Sequence, residues 1–536
     1  MGKNILKISI SQLNSTVAAI KNNTNKIIEI IDEQKKIGSD LLIFPELCIS
    51  GYPPTDLLLR PSFHAKIKMA LQEITQATSK LTVIVGYPEQ KDGNIFNMAA
   101  VISNKKIVHT QAKQALPNYQ VFDEKRYFTS GTNIKEFYVG NTKCCLAICE
   151  DMWDINFQSK IAALKPSIML SINASPFMIG KPKERQQMIL QAAKKIKTNC
   201  IYTNMCGAQD ELAFDGGSFI TNSNGKIIAA APQFSSQTYN YTYEIQENRF
   251  SQLNSPKELH ELEQIYRALT LGIKDYVQKN NIPGVIIGLS GGIDSALTLA
   301  ICHDAIGSNR VTALLLPSKF TSNESLNLAN EQANNLNIKI KTISIDQIYH
   351  TTLKTLNLKD NGSLSTQNIQ ARIRANILMA ESNETGNILI NTSNRSEIAT
   401  GYGTLYGDMA GAFAALKNIP KTTVYKLANW RNKQSNAIPN KVISREPTAE
   451  LCNAQKDTDT LPPYPILDEI LSMYLDLNYD AKRITENGFC PKQVGKIISM
   501  INKSEFKRQQ FAPGVQLKEN SFGIARRIAI TSGQDD

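Results

Sequence analysis

The sequence predicts an α/β protein with two domains, and three observations support this fold class. The chain has 536 residues, which exceeds what one hydrophobic core commonly covers and fits two domains of roughly 250 residues each. Short apolar segments alternate with longer amphipathic segments before about residue 230, and a second such series follows from about residue 259. Strands that alternate with helices in this way are typical of α/β layers.

Six short apolar segments of the first half are predicted to be strands. They are KISISQ, LLIFPE, TVIVGYPE, MAAVIS, CCLAICE and SIMLSIN. Between the first two lies NTNKIIEIIDEQKKIG, whose apolar residues recur at the spacing of an amphipathic helix. We therefore predict alternating strands and helices from Lys3 to about residue 230.

The second half begins with the helical pattern ELEQIYRALTLGIKDYV and continues with the predicted strands GVIIGLS, RVTALLLPS and IKIKTISI. This order is expected of a doubly wound parallel sheet, whose ligands bind at the carboxyl ends of the strands. Residues 233–258 are polar and lack either pattern, so we interpret them as the connection. The predicted domains are residues 1–245 and 259–536, with a linker at 246–258.

The composition argues against several classes of protein. No stretch of 18 apolar residues occurs, and the N-terminus MGKNILKISISQL alternates polar and apolar residues, so we expect a cytoplasmic protein without membrane contact. The nine cysteines form no CxxC pair, which argues against a disulfide framework or a zinc site. The charge of +11 is spread without a long basic run. It fits a basic surface around anionic small substrates, and we expect no nucleic acid partner.

The segment SGGIDSA, which starts at Ser290, follows the strand pattern GVIIGL and precedes a helix that begins near Ile293. The amides of Ser290, Gly291 and Gly292 can approach a bound anion, and the helix adds its positive end. The lysine of a Walker A loop, which reaches the terminal phosphates, is absent. Asp294 can hold Mg²⁺, so the turn suits a pyrophosphate unit that leaves when the α-phosphate of ATP is attacked.

SGGIDSA resembles the fingerprint of the ATP pyrophosphatase family, whose members adenylate carboxylates or related oxygens on a doubly wound parallel sheet. Four further motifs follow in order, namely STQNIQARIR, NTSNRSE, YGTLYGDMAG and EPTAELCNAQKDTDTLPPY. Together with the turn they resemble the NAD synthetase family over the whole second half. The resemblance implies ATP and deamido-NAD as substrates and Mg²⁺ as the metal.

This resemblance also implies which residues form the site. ATP is expected to contact Gly288, Leu289, Ser290, Gly291, Gly292, Ile293, Asp294, Ser295 and Thr392. Deamido-NAD is expected to contact Asn368, Glu397 and Lys507, and Mg²⁺ to be bound by Asp294 and Glu397. Taken singly, Asn368 and Thr392 also fit helix caps and Lys507 a solvated basic segment. Their occurrence as an ordered set favours the binding roles.

NTSNRSE departs from the family pattern at two places. The family usually has a Gly-Thr-Gly opening and a lysine where this chain has Asn391, Ser393 and Arg395. Arg395 keeps the positive charge of the lysine but not its geometry, since a guanidinium is planar with several donors and an ammonium is a compact single charge. We expect nucleotide binding to survive both departures.

Amidation of an adenylated carboxylate requires ammonia, and the first half contains residues that can release it from an amide. They are Glu46 in LLIFPELCISGY, Lys113 in AKQALPNYQVFDEKRYF and Cys149 in CCLAICEDMWD. The Cys149 thiolate can attack the amide carbonyl, Glu46 can carry the proton to the leaving amine, and Lys113 can stabilise the oxyanion. A buried cysteine alone is more often a core residue, and Cys144 and Cys145 are interpreted so.

In this order and across about 230 residues, these stretches resemble the nitrilase superfamily of amidases, whose fold is an αββα sandwich. NASPF, GKPKER and NMCGAQDELAFDGGSF match the form of this domain that is fused to NAD synthetase. The resemblance implies that Tyr119, Ser175 and Lys181 contact L-glutamine and that Glu124 is an accessory acid. At Ala115 many relatives have histidine, which we interpret as a change outside the direct contacts.

The two resemblances together imply an amide-forming ligase with a glutaminase half-reaction. It would hydrolyse glutamine through a thioester on Cys149, adenylate deamido-NAD with ATP and amidate it to NAD, releasing AMP and pyrophosphate. We expect ammonia to follow an enclosed path between the sites. The family also implies a homo-oligomer, either a dimer or a larger assembly up to an octamer.

Three alternatives stay open from the sequence. In the first, the amidase is idle and free ammonia is the real nitrogen donor. In the second, a basic RNA-binding protein uses adenylation to modify tRNA, although zinc cysteines and an RNA module are missing. In the third, the chain is a scaffold with a decayed site, which fits poorly with so many intact motifs.

Overall fold

The computed structural model describes residues 4–251, 256, 258–447, 450–452 and 461–533. The chain forms two compact units, residues 1–259 and residues 260–536. Each unit has its own sheets and its own buried apolar clusters, as expected of a chain that is too long for one core.

In the described part of the first unit, strands and α-helices alternate over much of the length. Its strands are β1 (Ile5–Ser11), β2 (Leu41–Ile43), β3 (Thr82–Lys91), β4 (Asn94–Ser103), β5 (Lys106–Ala112), β6 (Phe137–Val139), β7 (Thr142–Ile148), β8 (Ile168–Asn173), β9 (Asn199–Asn204), β10 (Cys206–Gln209), β11 (Leu212–Asp215), β12 (Phe219–Thr221), β13 (Ile227–Ala230), β14 (Thr238–Glu244) and β15 (Arg249–Phe250). Its helices are α1 (Ile20–Ile37), α2 (Pro61–Ala77), α3 (Ile155–Leu164) and α4 (Lys181–Ile196).

Two sheets of the first unit pack face to face. One has seven strands in the order β15-β14-β1-β2-β3-β4-β5, and the other has six in the order β13-β12-β9-β8-β7-β6. Apolar side chains of both sheets, such as Ile8 and Leu170, form the core between them. Helices α1 and α2 cover the outer face of the first sheet, and α3 and α4 cover that of the second. This is the predicted αββα sandwich.

Strand β7 is buried on both of its faces. Cys144, Leu146 and Ile148 point into the core between the sheets, whereas Cys145 and Ala147 pack under α3 and α4. This period of two explains why CCLAI is a continuous apolar run. Cys144 and Cys145 are core residues, as predicted, and the next residue after the strand is Cys149.

The prediction that residues 233–258 form a connection is wrong for their central part. Thr238–Glu244 is strand β14, which pairs with β1 along its whole length. Tyr241 and Tyr243 are buried there and alternate with more exposed polar residues. The buried tyrosine rings take the place of apolar residues at every second position of the strand. Because the other residues of the segment are polar, this alternation was not recognised in the sequence.

The second unit is built around one parallel sheet. Its strands are β16 (Val285–Gly288), β17 (Val311–Leu315), β18 (Lys339–Thr342), β19 (Ile388–Asn391) and β20 (Phe413–Ala414). Its helices are α5 (Glu261–Lys279), α6 (Ile293–Ile306), α7 (Asn323–Asn335), α8 (Asp346–Thr355), α9 (Leu364–Thr385), α10 (Arg395–Thr400), α11 (Lys421–Asn432), α12 (Asn440–Ser444), α13 (Tyr464–Leu471), α14 (Ala481–Glu486), α15 (Pro491–Lys503) and α16 (Glu505–Arg508).

The strands of this sheet lie in the order β18-β17-β16-β19-β20, and neighbouring strands are parallel. Helices α8 and α9 cover one face, and α6 packs against β16 and β17 and against α5 and α11. The chain leaves β16 in one direction along the sheet and returns at β19 on its other side. Ligands of doubly wound sheets bind at this switch point.

The predicted fold class is confirmed for both units. A further apolar cluster joins α10 to α13, α14 and α15, so the helix that follows β19 is anchored to the C-terminal helices. Within the part of the chain that the structure describes, none of the helices combines the length and apolar character needed to span a bilayer.

Candidate active sites

Three strand ends of the first unit bring Glu46, Lys113 and Cys149 together. Glu46 follows β2, Lys113 follows β5 directly, and Cys149 follows β7 directly. All three side chains are buried. Cys149 has a φ of 48°, a left-handed conformation that costs a residue with a side chain about 1–3 kcal/mol.

The Lys113 ammonium joins two carboxylates. Its Nζ atom lies 2.7 Å from Oε1 of Glu46 and 2.8 Å from Oε1 of Glu124. Asn97 donates from Nδ2 to the same Glu46 oxygen at 2.7 Å, and the amide of Ala174 donates to the other Glu46 oxygen at 2.9 Å. These bonds fix the Glu46 carboxylate in one orientation.

Burial and neighbouring charges set the protonation states of this cluster. Burial lowers the pKa of Lys113, but the Glu124 and Glu46 carboxylates outweigh it and hold that pKa well above its ordinary value. Burial raises the pKa of Glu124 to about 7, although the Lys113 ammonium opposes the shift. Burial also raises the pKa of the Cys149 thiol, and Glu46 raises it further. At rest the cysteine is therefore a thiol that requires a base.

A buried aspartate braces the turn that carries Cys149. Asp151 accepts hydrogen bonds from the amides of Gln114 and Ala115, both at 2.8 Å, and from the amide of Ile148 at 3.0 Å. It thus links the end of β7 to the segment that follows Lys113. At Ala115 the backbone amide makes this contact, so the departure in its side chain leaves the brace in place.

The three residues expected to contact glutamine lie near this turn, but in different settings. Tyr119 donates from its hydroxyl to the Glu150 carboxylate at 3.0 Å. The Lys181 ammonium lies 4.6 Å from the centre of the Trp153 ring. Ser175 is buried and follows Ala174, the residue whose amide binds Glu46.

In the second unit, the segment SGGIDS forms a tight turn between β16 and α6. The hydroxyls of Ser290 and Ser295 lie 3.0 Å apart and close the turn. Gly291 has a φ of +80°, and a Cβ atom there would lie 2.4 Å from the carbonyl oxygen of Ser325. Glycine is therefore required for conformation and for space.

Two adjoining pockets open above this turn. The larger, of about 280 Å³, is lined by Gly288, Leu289 and side chains from β17, α9 and β19, and its lining includes many apolar residues. The smaller, of about 190 Å³, is lined by residues 290–295 together with Ser393, Glu397 and Lys421. Both pockets share Ser290, Thr392, Asp408 and Glu450. An apolar pocket that leads into a charged one matches a base and its phosphates in shape and polarity.

The two carboxylates expected to bind metal face each other in the smaller pocket. The Lys421 ammonium lies 2.5 Å from Oδ2 of Asp294 and 3.4 Å from Oε1 of Glu397. Asn394 donates from Nδ2 to Asp294 at 2.9 Å and caps α10, the helix that carries Glu397. The described residues contain no group of three or more acidic, histidine or cysteine side chains suited to a metal. Two carboxylates suffice where phosphates complete the coordination of Mg²⁺.

The departures in NTSNRSE have separate structural roles. Asn391 donates from Nδ2 to the carbonyl oxygens of Asp408 and Ala410 at 2.8 and 3.1 Å, so it ties the end of β19 to the loop that contains these two residues. Arg395 points elsewhere, since its guanidinium binds the Asp476 carboxylate at 2.5 and 3.1 Å. Arg395 is also absent from the lining of both pockets.

Asn368 and Lys507 do not line either pocket, but both contact the loop that follows α10. Asn368 accepts a hydrogen bond from Thr404 at 2.8 Å. The Lys507 ammonium donates to the carbonyl oxygens of Gly401 and Gly403, both at 2.7 Å. The structure thus places these two residues beside the smaller pocket and not inside it.

Several site residues carried no recognisable signal in the sequence. Lys421 is separated by 127 residues from Asp294, its partner, and Asn97 and Tyr52 reach Glu46 and Glu124 from distant segments. Of the motif at 446–464, the residues Glu446, Pro447 and Glu450 line the smaller pocket. Its residues 448, 449 and 453–460 lie outside the described part of the chain.

Comparison with known proteins agrees with the resemblance drawn from the motifs. Residues 7–251 match the carbon-nitrogen hydrolase family, and residues 265–511 match the NAD synthase family. A glutamine-dependent NAD(+) synthetase from Acinetobacter baylyi is 39% identical over 534 residues, which is 98% of each chain. One from Thermotoga maritima is 38% identical over 569 residues, again 98% of each chain.

The fold gives the same result. A solved structure of the glutamine-dependent NAD+ synthetase from Acinetobacter baumannii, in complex with adenosine diphosphate, superposes with a TM-score of 0.81 at 37% identity and covers 99% of both chains. Identity of this level over the full length goes beyond a shared fold, and both halves match their expected families. The chain therefore belongs to the family of glutamine-dependent NAD(+) synthetases.

Proposed function

We propose that this chain makes NAD from deamido-NAD, with L-glutamine as the nitrogen donor and ATP as the activating substrate. The observation that carries the proposal is the presence, in one chain, of a buried Cys-Glu-Lys cluster and a nucleotide-sized pocket beside two carboxylates. We assign the glutaminase to residues 1–245 and the synthetase to residues 259–536. We assign residues 246–258 to the connection, and its short strand β15 pairs with β14 in the sheet of the first unit.

In the glutaminase, Glu46 is the base and Cys149 the nucleophile. The Glu46 carboxylate takes the Cys149 thiol proton, and the thiolate attacks the side-chain amide carbon of glutamine. The carbon–nitrogen bond then breaks while Glu46 returns the proton to the nitrogen, so NH₃ leaves and a thioester remains on Sγ. Water attacks the thioester with Glu46 again as base, which releases glutamate and restores the thiol.

Lys113 and Glu124 complete this site. The Lys113 ammonium stabilises the oxyanion of both tetrahedral intermediates and orients Glu46 through their 2.7 Å bond. Glu124 is the accessory acid, and its Oε2 atom has no hydrogen-bond partner among the described residues. Tyr119, Ser175 and Lys181 contact the bound glutamine.

In the synthetase, the adenosine of ATP occupies the larger pocket and its phosphates the smaller one. Gly288 to Ser295 and Thr392 line these pockets and hold the nucleotide. The nicotinate carboxylate of deamido-NAD, positioned by Asn368, Glu397 and Lys507, attacks the α-phosphorus, and the bond to the bridging oxygen breaks to release pyrophosphate. Ammonia then attacks the acyl carbon, and AMP leaves as the amide of NAD forms.

The donor set of the smaller pocket fits Mg²⁺. Two carboxylates converge there on one cationic nitrogen, Nζ of Lys421, which shows that this position favours positive charge. Asp294 and Glu397 would hold the ion together with the phosphates, as is usual for Mg²⁺ in nucleotide sites. When bound, Mg²⁺ supplies neutralisation of the charge on the phosphate oxygens.

The proposal is tested with labelled glutamine. The unmodified protein is given deamido-NAD, ATP, Mg²⁺ and glutamine labelled with ¹⁵N in its side-chain amide. The products are then identified by mass spectrometry. We expect NAD with ¹⁵N in its carboxamide, and AMP and pyrophosphate in equal amounts. NAD formation with added ammonium but none with glutamine would support an idle amidase, and ADP as product would contradict the adenylation. Light scattering tests the homo-oligomer that we also propose.

A further inference from the structure

The ammonium of Lys421 lies between the two carboxylates that we assign to the metal. Its Nζ atom is 2.5 Å from Asp294 and 3.4 Å from Glu397. Its side chain is 2% exposed, whereas those of Asp294 and Glu397 are 18% and 17% exposed, so water reaches the carboxylates more readily than the ammonium. All three side chains line the same pocket of the second unit. The Lys421 ammonium thus lies where the two carboxylates converge.

Hydrogen bonds at the start of α11 hold Lys421 in this position. Its amide donates to the Ser396 hydroxyl at 2.9 Å, and Ser396 precedes Glu397 on α10. Asp468 binds the Ser396 hydroxyl and also accepts the Thr422 amide at 2.9 Å. The start of α11 is therefore fixed to α10, and the lysine side chain extends from this anchor towards Asp294.

We propose that Lys421 excludes free divalent cations from the site until the nucleotide arrives. Asp294 and Glu397 carry two negative charges, of which Lys421 balances one. A divalent ion that entered alone would meet the buried ammonium at close range, where water and salt screen the repulsion only in part. The phosphates of ATP add the negative charge that accommodates both cations, so the metal enters together with the nucleotide.

This inference rests on the proposed role of Asp294 and Glu397 as metal ligands, and Lys421 acts through these two carboxylates without binding the metal itself. Removal of its charge, with the stem retained, leaves two facing carboxylates without their cation. Such a pair binds a free divalent ion more tightly than the unmodified site does. Lys518 offers a matched control, because its ammonium also binds a carboxylate, that of Asp476, at 2.7 Å, but away from the pocket.

The test is a titration of the full chain with Mn²⁺ alone, followed by the electron paramagnetic resonance signal of the free ion. We expect Lys421→Met to bind one Mn²⁺ at least about tenfold more tightly than the unmodified protein. Lys518→Met should match the unmodified protein, and adding Asp294→Asn to Lys421→Met should abolish the gain. Lys421→Gln, which also lacks the charge, is measured in parallel in case Lys421→Met does not fold. Circular dichroism of every variant shows which of them are folded.

Equal Mn²⁺ affinity in the unmodified protein and in both Lys421 variants would overturn the inference, and so would the absence of binding in all of them. A non-hydrolysable ATP analogue should produce bound Mn²⁺ in the unmodified protein, reduced by Asp294→Asn. Failure of the proposed function is distinct, since it would show as no NAD formation by the unmodified protein, whatever the Mn²⁺ result.

Discussion

The Nζ atom of Lys113 lies 2.7 Å from Oε1 of Glu46, and both side chains are 1% exposed. Glu124 shares the same ammonium at 2.8 Å, so the cluster has two carboxylates for one cation. Because both carboxylates are removed from water, each depends on Lys113 for its charge balance. This dependence couples the stability of the first unit to the residues that we assign to glutamine hydrolysis.

Lys113→Met should therefore destabilise the first unit and abolish glutamine hydrolysis. Loss of one partner from a buried ion pair costs about 3–5 kcal/mol of the free energy of unfolding. The chain has two tryptophans, and in a Trp430→Phe background the fluorescence of Trp153 reports urea unfolding of the first unit. Lys143→Met is the control, since its partly exposed pair with Glu136 at 3.8 Å is worth at most about 1 kcal/mol. Equal effects of the two substitutions would contradict this account.

Glu124 should make stability fall as the pH rises through a defined window. Burial raises the pKa of Glu124 from 4.5 to about 7, so between these values the folded state holds a proton that the unfolded state releases. Stability from this group is complete below pH 4.5 and is lost as the pH approaches 7, by on the order of 1 kcal/mol per pH unit.

Urea unfolding of the unmodified protein and of Glu124→Gln between pH 4.5 and 7.5 checks this sign. The glutamine has no proton to release, so the difference in unfolding free energy between the two proteins isolates Glu124. As the pH rises, the unmodified protein should lose unfolding free energy relative to Glu124→Gln, and the difference should become constant above about pH 7. A difference that shifts the other way would show that Glu124 is ionised throughout the window.

Gly291→Ala should damage the synthetase and spare the glutaminase. The added Cβ would lie 2.4 Å from the Ser325 carbonyl oxygen, and the residue would keep a φ of +80°, so the turn must distort. We expect ammonium-dependent NAD formation to fall by about tenfold or more, with glutamine hydrolysis unchanged. Gly495→Ala, in helix α15 with nothing within 4 Å of its added Cβ, should leave both activities unchanged. Comparable synthetase losses in the two variants would contradict the steric argument.

Arg395→Lys should affect stability more than nucleotide binding. Arg395 holds Asp476 with two bonds of 2.5 and 3.1 Å, and lysine cannot reproduce that fork. We expect the second unit to lose about 1 kcal/mol of unfolding free energy, while the KM for ATP stays within about twofold. A KM raised tenfold at unchanged thermal stability would place Arg395 at the phosphates instead.

Local patterns predicted the parts of the fold and site that depend on neighbouring residues. The apolar run before Cys149 and the glycines before Asp294 each determine a strand end and a turn, because burial and backbone conformation act over a few residues. The strand Thr238–Glu244 was missed, since its buried positions are tyrosines in a polar segment.

Long-range contacts were beyond such patterns. Lys421 meets Asp294 across 127 residues, and Asn97 meets Glu46 across 51. A lysine at a helix start or an asparagine in a strand has many possible partners until the chain is folded. That the Arg395 side chain binds Asp476 and does not line the pockets was unpredictable for the same reason, because Asp476 is 81 residues away.

The most direct test of the two-site account measures NAD formation from deamido-NAD, ATP and Mg²⁺ with either glutamine or ammonium as donor. The unmodified protein is compared with Cys149→Ala, which removes the proposed nucleophile and leaves the second unit intact. We predict that the variant loses glutamine-dependent NAD formation by about a thousandfold or more and keeps the rate with ammonium. Full glutamine-dependent activity in Cys149→Ala would contradict the account, because ammonia would then come from glutamine without this thiol.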